Sequence, residues 1–465
     1  MTRILVLNDD RIGPAMAGPP IRAMHLAAEL AADGTQPGPD GKPGRGRNEV
    51  RLISTRGCDL MRVDVDCRYV PYDRLRPHVE WADVVVLQGF VMEKAPWIAD
   101  TDKIIVVDLY DPMHLEQLAM AGSLDPTTRK AFVHKTVRVL SEQIDRGDFF
   151  LVASEQQRAF WLGSMAALGR LNPWTYDEDP SLNSRVAVVP FGLPAEAAHQ
   201  SAHAIRDVVA GISKTDTVLL WAGGVYNWFD PLTLIRAVHE LSQTRADLRL
   251  FFLGMGHPDP EIPEMATAVA ARALADSLGA TGKTVFFNEG WVDYAARRNF
   301  LMDADIGIST HAEHLETTFS FRTRMLDYLW AGLPMISTQG DSFAALIEAE
   351  GLGLTVPERD VDALVEALHR LLSDATLVAD SRAAVARVRS RFAWPVVAEP
   401  LVAFCRAPTR APDVGQRRLE VPNLAPVSVR GDLSLLRGYL RAGGPREAAR
   451  RARGRVGRVI REARR

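Results

Sequence analysis

Five residues able to handle an anionic ligand fall close together in this 465-residue chain: Glu316, Ser320, Arg322, Arg324 and Asp327. They sit in the run DIGISTHAEHLETTFSFRTRMLDYLWAGLPMISTQGD, residues 305–341. Its pattern predicts a strand, a polar loop carrying Glu316, an amphipathic helix entered at Ser320, a tight Gly-Pro turn and a second strand. A helix N-terminus offers unpaired backbone N–H groups and the positive end of a dipole, and so favours phosphate. The entrance holds Ser320, Phe321 and Thr323, flanked by Arg322 and Arg324, whose planar guanidinium groups match phosphate in a fixed fork. One turn further in, the Asp327 carboxylate is placed to accept hydrogen bonds from ribose hydroxyls. The segment reads as a holder for a nucleoside diphosphate, with Glu316 facing whatever hangs from it. The plainer alternative is a core helix capped by Ser320 with solvated arginines.

The elements that must position these residues follow from periodicity. Short β-branched runs alternate with longer helical patterns, which predicts an α/β fold of parallel sheets with crossover helices. Strands are expected at Ile4–Asn8, Val50–Ser54, Val84–Gln88, Ile104–Asp108, Phe149–Ala153 and Val186–Pro190 in a first half. A second half has them at Val218–Ala222, Leu248–Leu253, Val285–Phe287, Ile306–Ser309, Met335–Thr338 and Gly353–Val356. This divides the chain into a Rossmann-like unit over 1–200 and a second over 213–392, with 411–465 as an extension. Length agrees with two or three domains, and 47% hydrophobic content allows real cores. A formal net charge of −3 points to no nucleic acid. Three scattered cysteines, Cys58, Cys67 and Cys405, suit a reducing cytosol better than a disulfide framework or a zinc site. The N-terminus enters a strand at once, which reads as no signal peptide, and no apolar run is long enough to span a bilayer. Gly34–Asn48 reads as a surface insertion. Residues 441–465 hold ten arginines against two glutamates, with alanines and valines at helical spacing. They read either as a basic amphipathic helix lying on an anionic membrane surface or as a solvated tail.

The run 305–341 resembles the donor-site signature of glycosyltransferases of the GT-B fold, specifically the bacterial retaining family 4 type. There a loop glutamate meets the sugar, and an acidic residue before a small-x-Gly-x-Pro turn binds the ribose. Here Asp327 precedes Ala331-Gly332-Leu333-Pro334. The family's Glu-x7-Glu spacing is stretched, with ten residues between Glu316 and Asp327. The stretches FFLVASEQQRAFWLG at 149–163 and WAGGVYNWFDP at 221–231 resemble a bacterial subgroup. The second lacks the arginine and lysine that many members use on the diphosphate, having Gly224 and about Phe229 in their places, so Arg322 and Arg324 are the substitutes in reach, with Gly223 and Gly224 able to bring backbone N–H groups close. The resemblance implies two parallel-sheet domains facing across a cleft, with residues 393–410 returning to the first. It also implies that a glycine loop after the first strand meets the ligand, through Gly18 and Arg22.

Further candidates stand at other strand ends. Asp111 and His114, in VDLYDPMH, are placed to orient an acceptor hydroxyl or touch the sugar, although Asp111 also suits a plain turn before Pro112. The resemblance also implies a position after the strand at 285 that contacts the base through its backbone, for which Trp291 or Val292 is the candidate. Asp64-Val65-Asp66 matches a metal-binding DxD, but is read as solvated charge. His311, Glu313 and His314 lack metalloprotease spacing and are read as a polar loop.

The expected function is retaining transfer of a sugar from a nucleoside-diphosphate sugar to a hydroxyl of a glycan or lipid-linked acceptor, within cell-surface polysaccharide biosynthesis. No cofactor or metal is expected. The expected location is cytoplasmic, at the inner membrane face if the tail binds there. The alternatives are a nucleotide-sugar epimerase or hydrolase, or a non-catalytic scaffold of the same fold.

Overall fold

Thirteen parallel strands form two sheets in the computed structural model, which describes residues 1–33, 47–60, 65–123, 125–258 and 264–416. Most of the 34–48 insertion, Asp64 and the basic tail lie outside the described residues. The first sheet contains β1 (Thr2–Asn8), β2 (Asn48–Ser54), β3 (Asp66–Tyr69), β4 (Val84–Leu87), β5 (Ile104–Asp108), β6 (Phe149–Val152) and β7 (Val186–Val188), in the order 3-2-1-4-5-6-7. The second contains β8 (Thr217–Trp221), β9 (Leu248–Phe252), β10 (Val285–Phe287), β11 (Ile306–Ser309), β12 (Met335–Thr338) and β13 (Gly353–Val356), in the order 10-9-8-11-12-13. Every pairing is parallel. The central strands are continuous apolar runs because helices cover both faces: Val84–Leu87 and Ile306–Ser309 are buried throughout.

Strand order reverses at β1/β4 in the first sheet and at β8/β11 in the second. Crossovers on either side of such a point leave on opposite faces, and the strand ends between them open into a crevice. The loops that leave β1 and β8 at these points line one cavity between the sheets.

One strand was not expected. β3 pairs with β2 at a sheet edge, and on it Asp66 receives two hydrogen bonds from Arg68, at 2.9 and 2.5 Å. The described half of the DxD match is therefore a surface ion pair at an edge. Cys58 and Cys67 form no disulfide, yet their sulfurs meet at 2.9 Å because β2 and β3 bring the ends of that excursion together.

The return to the first sheet is made by the segments Trp394–Val397 and Glu399–Arg406. Trp394 is buried and stacks on His25 at 4.7 Å. Phe404 stacks on Phe149 of β6 at 4.1 Å. Residues Met1–Val414 form one compact unit.

The expected helix entered at Ser320 is instead two pieces. A short helix, Leu315–Phe319, carries Glu316, which is therefore not a loop residue, and a second helix spans Thr323–Ala331 with Arg322 as its N-cap. Ser320 stands between them with extended backbone, φ −82° and ψ 155°. The longer helix is pinned to the sheet by Tyr328. Its hydroxyl accepts the N–H of Ala222 at 2.9 Å and lies 2.8 Å from the Ile308 carbonyl. Gly307 permits this approach, since a Cβ there would lie 2.3 Å from the Tyr328 ring.

Candidate active site

Between the two sheets lies a cavity of about 340 Å³, walled by strand ends from both. The first sheet contributes the loops after β1, β5 and β7, and the second contributes those after β8, β9 and β10 together with Ser320–Arg324, Leu326 and Asp327. Gly18, Asp111, Gly223 and Gly224 are on this wall.

Arg324 is the decisive side chain. The residue is 7% exposed, and its guanidinium lies against Phe229 at 3.9 Å and Trp221 at 4.4 Å. Nη2 donates to the Gly224 carbonyl at 2.7 Å, while the buried Nη1 meets no partner among the described residues. Burial, with the nearby Arg322 charge also opposing protonation, pushes its pKa down to about 10, so it remains cationic at neutral pH. A buried cation with an unpaired N–H edge on a cavity wall is costly unless an anion completes it. Beside it Gly223 adopts φ +80°, a left-handed turn that brings backbone to the same wall. Among the described residues no side chain caps the helix that begins at Thr323, so its amide dipole also faces this wall. Arg324 thus reaches from the helix back to the loop after β8, which carries no cation of its own at Gly223 or Gly224.

Arg322 is engaged differently. It grips Glu316 with both terminal nitrogens, at 2.8 and 2.7 Å, and Ser320 donates to the same carboxylate at 2.6 Å. Glu316 is 3% exposed and is not on the cavity wall. The expectation that Glu316 faces the ligand and that Arg322 is free for phosphate is therefore corrected in geometry. The two charges neutralise one another, and that buried pair folds 316–322 into the tight link that interrupts the helix.

Asp327 lies on the wall, and its Oδ1 accepts from Arg297 Nε at 3.0 Å. Arg297 is held over the Tyr294 ring at 3.7 Å and the Trp330 ring at 4.6 Å. Sequence reasoning missed Arg297, since nothing local distinguishes it from its neighbour Arg298. Trp291 and Val292 stand on the same wall, and Trp291 Nε1 donates across to the Met16 carbonyl at 3.2 Å.

On the first-sheet side, the Asp111 and Glu116 carboxylates both line the cavity wall and influence each other's charge. Burial, then the Glu316 and Asp108 carboxylates, push Asp111 up to about 7. Burial and the same carboxylate neighbourhood raise Glu116 as well, so the pair holds a proton in the neutral range. Glu116 is a second residue that sequence reasoning missed. Glu316 acts at this distance because its helix crosses to the first lobe: Gln157 donates to the carbonyls of Tyr110 and Phe319, each at 2.7 Å.

Two expected ligands are elsewhere. His114 is off the cavity wall, stacked on Phe160 at 5.6 Å, and burial lowers its pKa, leaving a neutral ring. Arg22 is fully buried, and pairs with Asp108 at 2.6 and 3.0 Å while donating to the Val189 and Pro190 carbonyls. It ties β5 to the chain after β7 and does not reach the cavity. His311 is buried, with its pKa pushed down to about 3, and no set of three or more possible metal ligands gathers among the described residues.

Residues 216–374 match the family model described as Glycosyl transferases group 1. No curated protein matches the sequence. Among solved structures the chain is similar to sucrose-phosphate synthase from Thermosynechococcus elongatus, with TM-score 0.59, 16% identity, and coverage of 87% of this chain and 98% of that one. It is similar to WaaG, a glycosyltransferase involved in lipopolysaccharide biosynthesis, with TM-score 0.57, 16% identity, and coverage of 86% and 99%. It is also similar to Anabaena HepE in complex with UDP and glucose, with TM-score 0.59, 12% identity, and coverage of 87% and 99%. The match thus falls on the second lobe, and the two parallel-sheet lobes share the GT-B architecture of these structures.

Proposed function

We propose that the protein is a retaining glycosyltransferase of family 4 type that moves a sugar from a nucleoside-diphosphate sugar to an acceptor hydroxyl. One observation carries this: Arg324, which keeps a buried N–H edge without a partner among the described residues, lies on the wall of a cavity between two lobes of GT-B architecture. The diphosphate would complete Arg324 and sit on the amides at Thr323 and in the Gly223–Gly224 turn. The ribose would meet Asp327, steadied by Arg297, and the base would lie against Trp291 and Val292. The sugar would then point toward Asp111 and Ser320.

In the reaction the acceptor oxygen bonds to the anomeric carbon on the face that the diphosphate leaves. The bond from that carbon to the phosphate oxygen breaks, and the departing oxygen takes the acceptor proton. Negative charge develops on the leaving group, where Arg324 and the helix dipole are already oriented. Such preorganised stabilisation is often the largest catalytic contribution, and here it needs no metal. Because related structures hold UDP, uridine donors are the first to test. A role in cell-surface glycan synthesis, with residues 441–465 holding the chain at an anionic membrane surface, fits the ten arginines there.

The test is calorimetric titration with nucleoside diphosphates, followed by turnover with their sugars. Asp327→Ala is expected to weaken nucleotide binding about tenfold, the loss of one good polar contact. Unchanged affinity in that variant would overturn the ribose assignment. Binding without turnover on any donor would leave a nucleotide-binding scaffold in place of the transferase.

A further inference from the structure

The two cysteines that β2 and β3 bring together stand outside the cavity wall. Cys67 lies on the edge strand β3, opposite Leu52 of β2. The sulfur of Cys58 donates to the Leu60 carbonyl at 3.4 Å, and its backbone forms a parallel bridge with Ile12. Backbone pairing therefore places both sulfurs, Cys67 through the sheet and Cys58 through the loop after β1. Their 2.9 Å separation exceeds a disulfide bond by only about 0.9 Å. Both residues are partly exposed, so a small solute can reach them. Cys405, the third cysteine, is fully buried, and burial pushes its thiol up to about 12.

Cys58 also stands at the foot of a strut that reaches the second lobe. The Ile12 N–H donates to the Gly57 carbonyl at 2.9 Å, and the Asp59 N–H donates to the Ile12 carbonyl at 2.8 Å. Arg11 pairs with Asp59 at 2.6 Å. A little further along, the Pro14 carbonyl accepts from the Tyr294 N–H at 2.9 Å, and the Met16 carbonyl accepts from Trp291 Nε1 at 3.2 Å. Met16, Ala17 and Gly18 then join the cavity wall. The loop after β1 is thus pinned at one end by the residues flanking Cys58 and at the other by the second lobe.

We propose that Cys58 and Cys67 form a redox modification site: a low-molecular-weight disulfide converts the pair into an intramolecular disulfide, which stiffens the loop after β1. The step is thiol–disulfide exchange. One cysteine loses its proton to solvent, and its sulfur bonds to one sulfur of the reagent. The reagent's S–S bond breaks, and its other half leaves as a thiolate. The second cysteine, deprotonated in turn, bonds to the first sulfur and displaces the half still attached. The pair gives up two electrons, the reagent takes them, and two small thiols are released. A dithiol reductant runs the same exchange backwards. The new bond ties the Cys58 end of the strut to the edge of the sheet, so the Ile12 bridge opens less often.

Treatment of the folded full chain with glutathione disulfide, followed by mass-spectrometric peptide mapping, tests the pairing. A Cys58–Cys67 crosslink that a dithiol removes is expected, with Cys405 still a thiol. Cys58→Ser and Cys67→Ser are each expected to retain one glutathione on the remaining partner in place of the crosslink. Hydrogen exchange over residues 9–18, compared between the oxidised and reduced native chain, is expected to slow about tenfold. Glutathione left on either cysteine of the native chain, a crosslink to Cys405, or a Cys58–Cys67 crosslink that forms only in urea would each overturn the assignment. A crosslink with unchanged exchange over residues 9–18 would overturn the coupling to the loop.

Discussion

At the residue scale, chemistry divides among groups whose partners are complete and groups whose partners are not. Arg322 and Arg324 are two positions apart, yet both terminal nitrogens of Arg322 are held by Glu316, while Nη1 of Arg324 has no partner among the described residues. Arg324→Met should lower turnover roughly 10²-fold with a smaller effect on donor affinity, and Arg324→Lys should recover part of it; steady-state kinetics reads both. Asp111 supplies a pH dependence. With its pKa near 7, it becomes an acceptor for the incoming hydroxyl only as pH rises through that value. The pH profile of kcat/KM should therefore climb near pH 7 and flatten in Asp111→Asn. Stability runs the other way. The folded pKa lies above the value of about 4 for an exposed aspartate, so the native state holds a proton that the unfolded chain releases. This contribution is full below about pH 4 and is lost as pH rises through 7, which urea midpoints across that range would show.

At the element scale, the short helix and the helix at Thr323–Ala331 are fixed by side chains that sequence periodicity does not weigh. The Arg322–Glu316 pair is buried on both sides, at 3% and 2% side-chain exposure. Breaking one member leaves a buried charge. Glu316→Ala should therefore cost about 3–5 kcal/mol in chemical denaturation. Tyr328→Phe removes the acceptor for the Ala222 N–H and frees the helix from the β8 end. A cost of about 1–3 kcal/mol is expected, with weaker nucleotide binding, because the same helix carries Arg324 and Asp327.

At the scale of the whole molecule, the two sheets are held across the cleft by the ties at Gln157–Phe319, Trp291–Met16 and Tyr294–Pro14, and by the returning chain. Trp394 is the anchor of that return: it is 2% exposed, stacked on His25 and 5.1 Å from Phe191. Trp394→Ala should cost about 3–5 kcal/mol of stability, measured by guanidinium unfolding. The placement of the cavity is also a property of this scale, since loops at the strand ends of both sheets make its wall.

The α/β alternation, twelve of the strands and the run holding Arg324 and Asp327 were legible in the sequence, because apolar periodicity and chain-local spacing are one-dimensional signals. β3 was missed because its four residues, Asp-Cys-Arg-Tyr, are largely polar and lie at an edge where no apolar run is demanded. The use of each charge was decided only by tertiary contact. Glu316 turned inward to Arg322, Arg22 was spent on Asp108, His114 was stacked among aromatic rings, and Arg297 and Glu116 entered the wall from other elements. A charged side chain takes whichever partner the fold brings within reach, and burial sets the strength of that pairing. Residue type and spacing can nominate such groups, but desolvation and long-range pairing, which the folded chain alone creates, determine which of them remain open to a ligand.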